Sequence, residues 1–167
     1  MKFLRPQDYQ PLAQEVFNRL RVLIKELLPA AQIEHIGSFS IQGVLSKGDL
    51  DIFVGVEPAH FARAILALES LGFRVKHGSL RTESLCPFEA TNYPLDVGVQ
   101  LVALGSRFEF FRLFRDQMNE NAELRVAYNR LKTGAVDLSE AQYRELKSKF
   151  IENVLRRASA HSESQPD

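Results

Sequence analysis

The chain has 167 residues, 45% of them hydrophobic, with 21 basic and 21 acidic side chains and a formal net charge of zero. That length predicts one domain with a real core, and neutrality removes any whole-molecule field that would draw the protein to a polyanion, so an obligate nucleic-acid partner is not expected, although a local basic patch stays compatible. The single Cys86 cannot close an internal disulfide, no segment reaches a membrane span, and Met1 to Pro11 holds no apolar signal core, so a cytoplasmic protein away from membranes is expected.

In chain order, Leu12, Val16, Leu20, Leu23, Ile24, Leu27 and Leu28 recur at helical spacing and predict a helix from Pro11 to Leu28, with Pro29 as its stop. Residues 32–36 read as a short strand running into the turn Gly37-Ser38. A short helix is expected over 40–45, then a strand over 49–56. Pro58 to Leu71 is amphipathic and predicts a helix closed by Gly72. Residues 73–76, 81–85 and 95–103 read as strands, with Cys86 to Pro94 as a connection. The last third is helical. Ser106-Arg107-Phe108-Glu109 and Ser139-Glu140-Ala141-Gln142 are capping-box patterns, Asn121 is a further cap, and Gly134 ends a helix. These elements predict a small mixed α/β (α+β) sheet with helices packed on one face and a C-terminal helical segment. One domain is expected over residues 1–157, its helical third at 106–157, with a Ser-rich disordered tail over 158–167.

The chemistry concentrates on three short stretches. Gly37-Ser38 is followed eleven residues after Ser38 by Asp49-Leu50-Asp51-Ile52-Phe53-Val54, and later by Pro94-Leu95-Asp96-Val97-Gly98-Val99. Strand alternation puts Asp49, Asp51 and Phe53 on one face, and turns Asp96 away from the apolar face of Leu95, Val97, Val99 and Leu101. Three acids on one sheet surface repel each other, and a divalent cation is the usual offset. Magnesium, or manganese in its place, suits a site that keeps positions open for water and phosphate oxygens. The Gly-Ser turn can offer backbone N–H groups and a hydroxyl to a phosphate, with Ser40 a second and weaker candidate, since serine is also a common helix cap. Lys47 and Arg81 are candidates to neutralise phosphate charge; the plain alternative is two ordinary surface cations. His35 reads as a packing residue. His60, His77 and His161 are scattered without zinc-ligand spacing. Phe108, Phe110, Phe111 and Phe114 read as helical core, flanked by Arg112 and Arg115, which face the cleft or, as the simpler expectation, solvent.

The ordered set of a Gly-Ser turn, a D-x-D strand and a third acid on a neighbouring strand resembles the nucleotidyltransferase superfamily of the DNA polymerase β type. The resemblance covers about Glu34 to Val102. It implies that Asp49 and Asp51 hold metal ions bridging the phosphates of a nucleoside triphosphate, ATP being the first choice. It also implies that Asp96 completes the metal site or acts as general base on an acceptor hydroxyl, whose attack on the α-phosphorus expels pyrophosphate. Gly37, Ser38, Ser40, Lys47 and Arg81 would then contact the nucleotide. The acceptor is left open.

A narrower resemblance is to the GrpB family. The stretch from His35-Ile36-Gly37-Ser38 through Gly43-Val44-Leu45 and Lys47 to Asp51-Ile52 is similar to that family's H-x-G-S-T-S-V-P-G-L-x-x-K-P-x-x-D-I. Phe114-Arg115-Asp116, Leu124, Tyr128, Leu131-Lys132, Tyr143, Lys147 and Phe150-Ile151 are similar to its C-terminal helical pattern. Phe39 and Gln42 depart from the Thr and Pro of the pattern. Family members often lack the first acid of D-x-D and carry His where Asp96 stands, whereas this chain has all three acids. The alternative implied by the resemblance is a non-catalytic nucleotide-binding or accessory module.

Overall fold

The computed structural model describes residues 2–163. Its centre is set by strand alternation. In β2 (Leu50–Val56), Leu50, Ile52, Val54 and Val56 enter one core, while Phe53 enters another on the opposite face. β5 (Val97–Ala103) repeats the pattern, with Val97, Val99, Leu101 and Ala103 on the first face and Val102 on the second. Each of the Val, Leu, Ile and Phe side chains, once buried, is worth roughly 1.5–3 kcal/mol. β1 (Gln32–Ile36), β3 (Arg74–Val75) and β4 (Leu85–Ala90) complete a five-stranded sheet in the order β1-β2-β5-β4-β3. β2 and β5 are parallel, and every other neighbouring pair is antiparallel.

Helices α1 (Pro6–Leu27) and α2 (Phe61–Ser70) cover the first face. α1 starts a turn earlier than expected. Pro6 fills the first helical position, where its missing N–H is harmless, and Pro11 lies inside the helix. The early turns are held by Tyr9, whose hydroxyl donates to the Val44 carbonyl at 2.7 Å, and by the bridge between Leu4 and Ser46.

The C-terminal segment forms α3 (Phe110–Glu120), α4 (Ala122–Gly134) and α5 (Glu140–Glu163). It stands against the other face, where Phe108, Phe110 and Phe111 meet Ile36, Phe53, Leu85 and Val102. The caps read from the sequence are present at Asn121 and Ser139, whereas the box at Ser106 is half made, because Glu109 takes the Gly105 N–H at 2.8 Å instead of that of Ser106. Ser106 accepts from the Phe108 N–H, and Asn121 accepts from the Glu123 and Leu124 N–H groups. Ser139 and Gln142 exchange reciprocal bonds, the Ser139 N–H to Gln142 Oε1 at 3.0 Å and the Gln142 N–H to Ser139 Oγ at 3.3 Å. No described helix is long and apolar enough to cross a membrane.

Four expectations are corrected. The helix over 40–45 is instead a single 3-10 turn at Ser38–Ser40, because the following chain is committed outward: Asn129 and Asn119 take up the backbone of Gln42, Gly43 and Leu45. The strand expected over 81–85 lies at Leu85–Ala90, in the segment read as a connection. Pro87 is tolerated there because its carbonyl takes the Lys76 N–H at 2.9 Å, so its nitrogen faces the position where β3 has already ended. Arg112 and Arg115 are not solvent residues. Both pair with Glu34, at 3.0 and 2.7 Å, and clamp β1 to α3; their hydrogen bonds outweigh burial and hold the Glu34 carboxyl below its usual range. Finally, the first part of the tail expected from Ala158 is helix. Residues 158–163 extend α5, since Ala158 and Ala160 are strong helix formers and the Ser159 hydroxyl bonds back to the Leu155 carbonyl at 3.2 Å. The rest of that expected tail, 164–167, lies outside the described residues.

Candidate functional site

The parallel register of β2 on β5 pairs Leu50 with Val97 and Asp51 with Gly98. One step back puts Asp49 level with Asp96, whose carbonyl accepts the Leu50 N–H at 2.8 Å. The two acidic strand starts are thus neighbours, and their non-core face lies beneath the C-terminal helices. On this face is a cavity of about 430 Å³ to which Ser38, Lys47, Asp49, Asp51 and Asp96 all contribute. Its other walls come from Gly48, Lys76, Gln100, Lys132, Glu140, Tyr143, Arg144 and Lys147.

Asp51 is the centre of the site. It lies between two glycines. A Cβ on Gly98 would stand 2.9 Å from Asp51 Oδ1, and one on Gly37 would stand 2.3 Å from Oδ2. Gly37 is also left-handed, with φ +73°, so any side chain there would clash and strain the backbone together. Its carboxylate takes no hydrogen bond from a described residue. Burial, followed by the charge of Asp49, pushes it up to about 7, against the pull of Lys147, Lys76 and Lys132. A carboxylate held this way seeks a cation.

Ser38 belongs to the cavity and Ser40 does not. The Ser40 hydroxyl is spent on the Gly37 carbonyl at 2.7 Å. Ser38 Oγ accepts from Lys132 Nζ at 2.6 Å. Lys132 is 1% exposed, also donates to the Leu45 carbonyl, and lies 4.3 Å from the centre of the Tyr128 ring. Burial, then the charge of Lys147, lowers it to about 7, against Asp49 and Asp51. Lys47 lies over Tyr143 at 4.5 Å and pairs with Glu140 at 3.6 Å, which ties the rim to α5.

Two site expectations change. Arg81 is not at the cavity. It precedes β4, whose first residue Leu85 pairs with Val102, so Arg81 lies toward the end of the sheet opposite Asp96. The three acids line one cavity, yet among the described residues no three Asp, Glu, His or Cys side chains converge closely enough to hold a metal between them. Asp96 precedes the first residue of β5 and its side chain is exposed, which leaves it at the rim. The remaining pair, Asp49 and Asp51, fits a magnesium-type ion. Such ions need only one or two carboxylates and take the rest of their shell from water and phosphate.

Sequence reasoning assigned no role to Lys76, Gln100, Lys132, Arg144 or Lys147. For two of them a signal was present. Leu124, Tyr128 and Lys132 recur every fourth residue, as do Tyr143, Lys147 and Ile151, so each lysine continues an apolar helix stripe. A cation in that position is either a fault in the core or the lining of a polar cavity. His35 packs, stacking on Phe17 with ring centres 5.2 Å apart, but its buried Nε2 has no hydrogen-bond partner among the described residues, and burial, then Arg115, lowers it to about 4.

A mixed sheet with the Gly-Ser turn at the end of β1 and paired acids at the start of β2 defines a fold of the nucleotidyltransferase type. The solved Cid1 poly(U) polymerase with MgGTP bound has this fold, with a TM-score of 0.52 at 16% identity over 75% of this chain and 42% of the polymerase. The chain belongs to the GrpB family, described as GrpB protein, whose profile matches residues 5–157. It is 44% identical to a UPF0157 protein of Vibrio cholerae over 95% of this chain and 84% of that protein. The crystal structure of the conserved protein GrpB from Enterococcus faecalis superposes with a TM-score of 0.67 at 20% identity, covering 91% of this chain and 98% of that one.

Proposed function

We propose that this protein is a cytoplasmic nucleotidyltransferase dependent on magnesium or manganese, which transfers a nucleoside monophosphate from a triphosphate, with ATP the first donor to test, to a hydroxyl acceptor. One observation carries the reading. Three separated segments deliver Ser38, Asp49, Asp51 and Asp96 to a single cavity that also holds Lys47, Lys76, Lys132, Arg144 and Lys147. The cavity has five cations against four carboxylates, Glu140 being the fourth. A divalent ion raises that surplus to about three, close to the roughly four negative charges of a triphosphate.

When bound at Asp49 and Asp51, the ion supplies charge neutralisation at the reacting phosphate. The protein's own groups do the rest. The Ser38 hydroxyl and the Gly37-Ser38 backbone bind a phosphate, and Lys132 and Lys147 neutralise it from the helical side. Asp96 orients the acceptor hydroxyl and takes its proton. The acceptor oxygen forms a bond to the α-phosphorus, and the bond to the bridging oxygen breaks, with its electron pair leaving on pyrophosphate. A nucleotide-binding accessory module is the second reading, favoured by the rim position of Asp96 and the absence of a converged three-acid cluster among the described residues.

Three substitutions divide these roles. Ser38→Ala should weaken magnesium–ATP binding by roughly 1.5–3 kcal/mol, the cost of one hydrogen bond to a charged group. Ser40→Ala should leave it unchanged, because that hydroxyl is already engaged with Gly37. Equal affinities in calorimetry would remove Ser38 from the site. Asp96→Asn should retain most nucleotide and metal affinity but lower pyrophosphate release by about 10²–10⁴-fold against a panel of alcohols. An Asp96→Asn protein that turns over at the wild-type rate makes Asp96 a structural acid and favours the accessory module.

A further inference from the structure

Beside the polar cavity lies a second pocket, and the two share Ser38, Asp51, Gln100 and Lys147. Its body is apolar, made by Phe110, Phe111 and Phe114 of α3, Tyr128 of α4 and Ile151 of α5, with Ile36 beneath. Its volume is about 120 Å³. An apolar cavity of about 150 Å³ holds a benzene ring, so this one takes a group no larger than a phenyl or a branched alkyl. A purine is bigger than benzene and exceeds the space between the aromatic walls. The triphosphate belongs with the lysines on the other side of Asp51.

Resting on the transferase reading above, we propose that this pocket is the acceptor subsite, and that the acceptor is a small alcohol with a compact apolar or aromatic body and a short tether to its hydroxyl. The body fills the space between α3, α5 and the sheet. The hydroxyl emerges past Asp51 into the polar cavity, where Asp96 stands at the rim. In the transfer, the hydroxyl oxygen bonds to the α-phosphorus, its proton passes to Asp96, and pyrophosphate leaves with the electron pair of the broken bond. The apolar body makes no charge interaction. It fixes the hydroxyl by burial, which excludes water as a competing acceptor.

The test is an NMR titration of the intact chain with phenethyl alcohol, with glycerol as a polar control and magnesium–ATP binding measured in parallel. Wild-type protein should bind phenethyl alcohol, with shifts at Phe111 and Ile151, and should not bind glycerol. Ile151→Phe fills the pocket and should weaken phenethyl alcohol binding by about tenfold or more, with magnesium–ATP affinity unchanged within about twofold. Should Ile151→Phe fail to fold, Ile151→Ala decides the matter: the enlarged pocket should bind naphthaleneethanol more tightly than wild type does. Unchanged alcohol binding in a folded Ile151→Phe protein overturns the proposal, as does no preference of Ile151→Ala for the larger alcohol. Loss of magnesium–ATP affinity in Ile151→Phe assigns the pocket to the nucleotide and also overturns it. A wild type that binds magnesium–ATP but no apolar alcohol defeats the subsite alone, whereas one that binds the alcohol but no triphosphate defeats the transferase reading on which the acceptor role depends.

Discussion

Replacing Asp51 by asparagine is expected to make the protein more stable and inactive. Asn has the same shape, so it fits the slot between Gly37 and Gly98, where a Cβ on either glycine would collide with the Asp51 carboxylate. It carries no charge, so the cost of holding a carboxylate there disappears. Burial and Asp49 raise Asp51 from 3.8 to about 7, which means the folded state binds the proton more tightly than the unfolded chain. Asp51 therefore contributes stability below pH 3.8, and that contribution is lost as pH rises to about 7. Above that window the wild type bears the full cost, and Asp51→Asn should be more stable by roughly 1–3 kcal/mol, less than the shift alone implies because the group is partly exposed and screened. Metal-dependent ATP affinity should fall by about a hundredfold or more, and transfer by about 10²–10⁴-fold. Urea unfolding at pH 8 alongside ATP titration checks both halves. An Asp51→Asn protein that is less stable and binds magnesium–ATP normally would make Asp51 a structural residue.

Lys132→Met is expected to show the opposite pH signature. Lys132 falls from 10.5 to about 7, through burial first and then the charge of Lys147. The unfolded chain thus binds more protons between those values, and wild-type stability should rise as pH climbs from about 7 toward 10. Below that window the lysine is charged in both states and contributes no slope. Lys132→Met removes the rise, on the order of 3 kcal/mol over the window. It also frees Ser38 Oγ from its 2.6 Å partner and leaves the Leu45 carbonyl without that donor, so near pH 10, where the wild-type lysine is neutral and still bonded, the variant should be the less stable protein. In the functional reading it loses a phosphate contact, and triphosphate affinity should drop by about tenfold or more. Parallel unfolding curves for the two proteins across pH 7 to 10 would contradict the assigned burial of this amine.

What the sequence carried best was local and periodic. The alternation in Leu50, Ile52 and Val54 against Asp51 and Phe53 is reproduced residue for residue, because a strand has no freedom to do otherwise once one face is buried. The caps at Ser106, Asn121 and Ser139 are short-range chemistry and were equally readable. β4 falls in the stretch from Cys86 that was expected to be a connection, and it carries Pro87, which lacks the N–H a ladder uses. Only the tertiary ladder shows that its nitrogen points past the end of β3. The site divided along the same line. Asp49, Asp51 and Asp96 were legible because they stand at two strand starts that parallel pairing brings level, and Ser38 because the Gly-Ser turn closes β1, the antiparallel neighbour of β2. Lys132, Arg144 and Lys147 come from α4 and α5, far along the chain, and their arrival depends on how those helices lean over the sheet, while Lys76 comes from the end of β3, which two strands separate from β2. Arg81 lies away from the cavity because β4 runs antiparallel to β5, so the residues before Leu85 stand toward the Val102 end of the sheet, which charge type alone does not reveal.

The central claim is that this cavity binds a metal–triphosphate. Calorimetric titration of wild-type protein with ATP, once with magnesium and once with a chelator, tests it most directly. The account predicts saturable one-to-one binding in magnesium and affinity at least about tenfold weaker in the chelator, since Asp49 and Asp51 then face the triphosphate uncompensated. Wild-type protein that shows no binding of ATP or any other nucleoside triphosphate, with or without magnesium, contradicts it.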